Sequence, residues 1–88
     1  MAAIYSDLKD RTVVVSGGAG GIGESIVRAF HAQGARVGFL DIDTARGARL
    51  QAELGQGALF VACDLTDIPA LKAAITAVRE AFGPIDIL

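Results

Sequence analysis

Cysteine is almost missing from this 88-residue chain: Cys63 stands alone, so no internal disulfide framework can form. That usage suits the cytoplasm. Basic residues are few and scattered. Eight Lys and Arg against ten Asp and Glu leave a net charge of −2. Without a basic stretch to neutralise phosphates, nucleic acid is excluded as a partner. No apolar run approaches the ~18 residues of a membrane span, and Met1–Asp10 lacks the apolar core of a signal peptide. There is no internal repeat and no low-complexity linker. Histidine occurs once. His31 is read as a helix-end residue favouring the dipole, not as a ligand or catalyst. No metal-ligand set is expected. What is present is a 52% hydrophobic chain with eleven glycines, enough for one small globular unit.

The glycines concentrate after an apolar run. Thr12-Val13-Val14-Val15-Ser16 enters Gly17-Gly18-Ala19-Gly20-Gly21-Ile22-Gly23, and a helical pattern follows to about Gln33. A helix N-terminus carries unpaired N–H groups and the positive end of the macrodipole. A pyrophosphate docks there if no β-carbon stands in its way. Two registers fit. Gly18, Gly20 and Gly23 make the general G-x-G-x-x-G pattern. Gly17, Gly21 and Gly23 make one with three residues between the first two glycines.

The rest of the chain alternates strand and helix. The first helix carries Ile22, Ile26, Val27 and Phe30 on one side, and Gly34 closes it. Arg36–Asp41 is the second strand and ends on an acid. Asp41 lies 18 residues after Gly23, a spacing suited to a carboxylate that accepts from the adenosine ribose hydroxyls. Such a carboxylate repels a 2′-phosphate, so NAD is favoured over NADP. Arg46 would weaken that preference, but it is expected in the next helix and not beside Asp41. Asp43 or Thr44 caps that helix, which runs to about Leu54 with Ala45, Leu50 and Leu54 inward. Gly47 weakens it by about 1 kcal/mol relative to alanine. Ala58–Cys63 is the third strand, with Cys63 a small buried hydrophobe. Asp67 or Thr66 starts a third helix with Pro69 in its first turn. Leu71, Ile75, Val78 and Phe82 form its core stripe. Gly83-Pro84 stops it, and Ile85–Leu88 begins a fourth strand.

Ser16-Gly17-x-x-x-Gly21-Ile22-Gly23 resembles the T-G-x-x-x-G-[IL]-G motif of the short-chain dehydrogenase/reductase family, with serine in place of threonine. Three further landmarks extend the resemblance over nearly the whole chain: Asp41, Asp64-Leu65 and Gly83-x-Ile85-Asp86. It implies a Rossmann-type α/β fold, a doubly wound parallel sheet in strand order 3-2-1 with the start of strand 4 beyond. The first two helices then cover one face and the third covers the other. The resemblance also implies an adenine site at Asp64 and Leu65, and neutral Ala19 and Gly20 agree with NAD. The cofactor-binding set is Gly17, Gly18, Gly21, Ile22, Gly23, Asp41, Ile42, Asp64 and Leu65. The family segment that precedes the first strand usually has glycine near the position of Asp10.

The family's catalytic serine, tyrosine, lysine and asparagine have no match. Ser6, Ser16 and Ser25 are in the wrong places, and Tyr5-x-x-x-Lys9 lies upstream of the first strand, far from where the family's pair belongs. The expectation is therefore the N-terminal portion, residues 1–88, of one NAD(P)-binding domain. It is inactive alone, and the remainder of its own chain or a homo-oligomer covers its open sheet. Two other readings stand beside this one. One is a fragment of an S-adenosylmethionine-dependent methyltransferase, which also places an acid after the second strand. The other is a non-catalytic nucleotide-binding or dimerisation module.

Overall fold

The computed structural model describes residues 8–88. Tyr5 and Ser6 lie outside the described residues. Three strands, β1 (Thr12–Ser16), β2 (Arg36–Asp41) and β3 (Ala58–Ala62), alternate with three helices, α1 (Gly21–Ala32), α2 (Thr44–Leu54) and α3 (Ile68–Phe82). The strands form a parallel sheet with β2 at its centre. Val13 pairs with Val37, and Phe39 pairs with Phe60.

Strand side chains alternate between faces, so the apolar runs feed two cores. Val13, Val15, Val37 and Phe39 meet Val27 of α1 and Leu50 of α2. Val14 and Leu40 meet Ala74 and Val78 of α3, with Cys63 buried beside them. The helices therefore divide two and one across the sheet, as the connectivity requires. Gly38 sits at the middle of β2, where a β-carbon would overlap Val78; its absence lets α3 lie close to the sheet.

Two inward faces differ from expectation. Ile22 is 81% exposed and Ile26 is half out of the core, while Val27 is fully buried. At about 100° per residue, Gly23, Val27 and Phe30 share the inward stripe, and Ile22 lies well round the helix from it. In α2, Ala45 points outward, and Gly47 takes the buried place against the ring of Phe60. A β-carbon on Gly47 would run into that ring. The helix-weakening glycine is thus a packing requirement.

The ends of the helices follow from their residues. Gln33 is the C-cap of α1. Gly34, at φ +87°, donates to His31 O, and Ala35 donates to Phe30 O, a Schellman closure. His31 Nε2 lies 2.9 Å from the carbonyl of Gln56, which ties the end of α1 to the loop before β3. Asp43 caps α2 and Asp67 caps α3, each accepting from a backbone N–H three residues on.

The fourth strand appears as one parallel bridge, Ile87 to Val13. It lies on the edge of β1 opposite β2, so the order 3-2-1-4 holds with only a bridge in fourth place. Asp86 fastens it. Its Oδ2 accepts the Thr12 N–H at 2.9 Å, and its Oδ1 accepts from Arg11 Nη1 at 3.3 Å. The Thr12 N–H is the main cause of a carboxyl pKa held below its usual value, with Arg11 adding to it. A depressed folded pKa stabilises fully above the unfolded value and ceases to do so as pH falls through the folded one. Asp86→Asn is expected to lower the Tm at neutral pH and to shrink the further loss of Tm below about pH 4, read by thermal melts across the acid range.

Asp10 has φ +63°, in the left-handed region that favours glycine over residues with a β-carbon. Glycine removes that penalty, partly offset by the added entropy of the unfolded chain. Asp10→Gly is expected to raise stability by up to about 1 kcal/mol, measured by urea unfolding.

Candidate functional site

The carboxyl ends of β1, β2 and β3 and the N-terminus of α1 meet at one edge of the sheet. The turn between β1 and α1 is held from beneath. The N–H groups of Gly17 and Gly18 both donate to Leu40 O of the neighbouring strand, at 2.6 and 3.3 Å. Gly17 has φ +71° and Gly21 has φ +54°, and a side chain at either would meet nothing within 4 Å. Backbone conformation, not crowding, therefore selects glycine at these two positions, and the space above them is open. Gly23 has the opposite constraint: a β-carbon there would overlap the Gly17 carbonyl. The three demanding positions are Gly17, Gly21 and Gly23, which is the register with three intervening residues. Gly18 packs against Phe39 and Val27. Gly20 is the least constrained of the cluster, with only Arg46 nearby.

The N-terminus of α1 differs from the other two. Its N-cap is Gly20, with no side-chain cap, whereas α2 and α3 each have a capping aspartate. The first-turn N–H groups of α1 thus have no side-chain acceptor, and they carry the positive end of the helix dipole. An anion fits there, and no carboxylate of the helix's own cap competes with it.

Asp41 stands beside this turn. Its Oδ2 accepts the N–H of Ala19 at 3.2 Å and its Oδ1 accepts that of Asp43 at 3.0 Å. The side chain therefore joins the end of β2 to the glycine turn and sets the approach to α2. That structural tie was not legible from the spacing alone. Ile42 follows, 71% exposed. Asp64 lies after β3. Its Oδ1 accepts from both the hydroxyl and the N–H of Thr66, at 2.7 and 2.9 Å, which keeps its pKa below the usual carboxylate range. Leu65 is partly exposed and lines an apolar groove of about 250 Å³ with Val14, Ser16, Leu40, Leu71 and Leu88. Ile22, Ile42 and Leu65 thus present apolar surface along the same edge that carries Asp41 and Asp64.

Arg46 belongs to α2, as expected, and its Nη1 comes within 3.2 Å of where a β-carbon of Gly20 would stand. Its position one turn into α2, facing back along the helix, brings it over the glycine turn. Ser25 is spent on its own helix, donating to Gly21 O at 3.4 Å. Among the described residues, no group of three or more His, Cys, Asp or Glu is placed to hold a metal ion, and no helix is long and apolar enough to cross a membrane. One edge of the sheet thus brings together backbone donors with no side-chain acceptor, two carboxylates and exposed apolar side chains.

A family model described as short chain dehydrogenase matches residues 11–88. The chain belongs to this family. That membership sets aside the methyltransferase reading. Galactitol 2-dehydrogenase of Agrobacterium fabrum is 42% identical over 81 residues, covering 92% of this chain and 32% of the relative. D-xylose 1-dehydrogenase of Caulobacter vibrioides is 38% identical over 90 residues, covering 99% of this chain and 35% of the relative. The fold is shared with 3-ketoacyl-(acyl-carrier-protein) reductase from Brucella melitensis, solved in complex with NADH. There the TM-score is 0.87 at 32% identity, over 91% of this chain and 33% of that one. The chain therefore spans about a third of the length of the relatives it matches.

The tightest element of the site is the contact between Gly23 and the Gly17 carbonyl. Gly23→Ala is expected to push α1 off β1, to cost about 2 kcal/mol or more, and to expose the Gly17 and Gly18 amides. Amide hydrogen exchange, with urea unfolding beside it, measures both effects.

Proposed function

We propose that this chain supplies the adenosine and pyrophosphate side of a nicotinamide dinucleotide site, in an oxidoreductase that interconverts an alcohol and a ketone with NAD. The observation that carries the reading is the uncapped N-terminus of α1 above an open glycine turn, beside capped α2 and α3. In this reading the backbone from Gly17 through Gly18 and Gly21 to Gly23 cradles the pyrophosphate. Asp41 accepts from the ribose hydroxyls, and its two backbone hydrogen bonds hold it in place to do so. Asp64 accepts from the adenine amine, while Ile22, Ile42 and Leu65 flank the bound adenosine. The bound nicotinamide would take up or give the hydride.

Residues 1–88 are read as the first portion of a single dinucleotide-binding domain, in keeping with the third of each relative that they span. The remainder of the chain or a second copy would cover the β1 edge and the groove at Leu65. A cytoplasmic setting accords with one buried free thiol, Cys63. Among the described residues, no acid–base or nucleophilic set lies beside the glycine turn, and residues 1–88 alone are expected to be inactive.

Calorimetric titration of the full-length protein with NAD, NADP and S-adenosylmethionine tests the reading. NAD is expected to bind more tightly than NADP, and S-adenosylmethionine not at all. Asp41→Asn removes the charge facing the ribose and is expected to narrow the gap between NAD and NADP by about tenfold. Failure of the protein to bind either dinucleotide would overturn the reading. Turnover of an alcohol with NAD by residues 1–88 alone would overturn the expected inactivity.

A further inference from the structure

β3 is the outer strand on one side of the sheet. It pairs with β2 along one edge, and among the described residues no strand meets its other edge. The fourth place in the sheet lies on the far side, where Ile87 bridges Val13. An open edge is a template for another strand. The residues of β3 add to the hazard. Ala58-Leu59-Phe60-Val61-Ala62-Cys63 carries no charge, no proline and no glycine, a composition that favours pairing between chains. The usual protections, a lysine or proline on the edge, are missing from the strand.

The register decides which backbone groups face outward. Val37 donates to Gly57 O, and Cys63 donates to Asp41 O. Alternate residues of the strand therefore turn to β2, and the N–H groups of Ala58, Phe60 and Ala62 face away from it. Two of these three donors are already occupied. Ala58 donates to Gly55 O at 3.2 Å, within the turn that leads into the strand. Phe60, at the centre, donates to Oε1 of Gln51 at 2.6 Å. Gln51 stands one turn beyond Gly47 on the same side of α2. Gly47 has no side chain where the Phe60 ring lies, so α2 comes close enough for the Gln51 amide to reach the strand.

We propose that Gln51 guards this edge: its side-chain carbonyl takes the Phe60 N–H that would otherwise pair with β3 of a second copy, and so keeps two copies from joining edge to edge. A second copy is the strand that matches the edge, because Ala58 and Ala62 are spaced evenly on either side of Phe60. A two-fold axis at Phe60 sets each outward N–H of one strand opposite an outward carbonyl of the other. Phe60 then meets Phe60, and Ala58 meets Ala62. With Gln51 in place the central pair of bonds cannot form. The Ala58 bond is longer and lies at the end of the strand, so it protects the edge less. The guard is local to α2 and β3 and does not rest on the dinucleotide reading.

The test is sedimentation velocity of the full-length protein and its Gln51→Ala variant, with circular dichroism melts to verify the fold. Amide exchange in dilute solution reads the Phe60 N–H, which is expected to exchange about tenfold faster in the variant. At roughly 100 μM the variant is expected to form a species of at least twice the mass of the unaltered protein. Adding Ala62→Lys puts a charge on an exposed position of the edge. It is expected to restore the original mass while Phe60 stays fast. Gln51→Glu, which keeps an acceptor, is expected to keep both the mass and the slow exchange. An unchanged mass in Gln51→Ala would overturn the proposal, since the opened edge then recruits nothing. Unchanged exchange at Phe60 would overturn it too, as would association that survives Ala62→Lys, which places the contact elsewhere. Gln51→Met keeps the length of the side chain and loses the acceptor. If both it and Gln51→Ala fail to fold, Gln51 is a structural tie and the proposal fails.

Discussion

The structure depends on one backbone contact, the approach of Gly23 to the Gly17 carbonyl. It lets α1 start directly above the end of β1, with no side chain between helix and strand. From that starting point Val27 enters the core between Val13 and Phe39, and Phe30 closes the stripe. The same contact aims the first turn of α1 at the space over Gly17 and Gly21. Core and site share their origin in a position that tolerates only a hydrogen.

The neighbouring strand completes what the glycines begin. Leu40 O gathers the N–H groups of Gly17 and Gly18, and Asp41 takes that of Ala19. Buried backbone donors need partners, and here the end of β2 supplies them in order. The turn is thus built on the sheet itself. Its remaining donors, at the start of α1, are left facing outward, where an anion would complete the count.

Much of this was legible in the residues. The apolar runs placed all three strands, Gly34, Gly55 and Gly83 marked the helix ends, and the division of helices over two faces followed from chain connectivity. Membership of the family was readable from four short landmarks in order. The misreadings have a common cause. Ile22, Ile26 and Ala45 were assigned inward on hydrophobicity, whereas Gly23 and Gly47 hold the inward places because backbone or an aromatic ring stands where a β-carbon would be. Hydrophobic periodicity cannot register a residue that is buried for lack of a side chain. Arg46 was read correctly into α2, but its number does not tell how far the side chain carries its charge, which reaches a turn 26 residues earlier.

Asp41 holds two backbone amides with its two carboxylate oxygens, one on the glycine turn and one on the approach to α2. If Asp41 also meets a ribose, as proposed above, the same pair of atoms would serve both recognition and architecture. A protein engineer who removed that carboxylate would unfasten two loops at once, so any change in what the site accepts would arrive together with a loss of order in the turn.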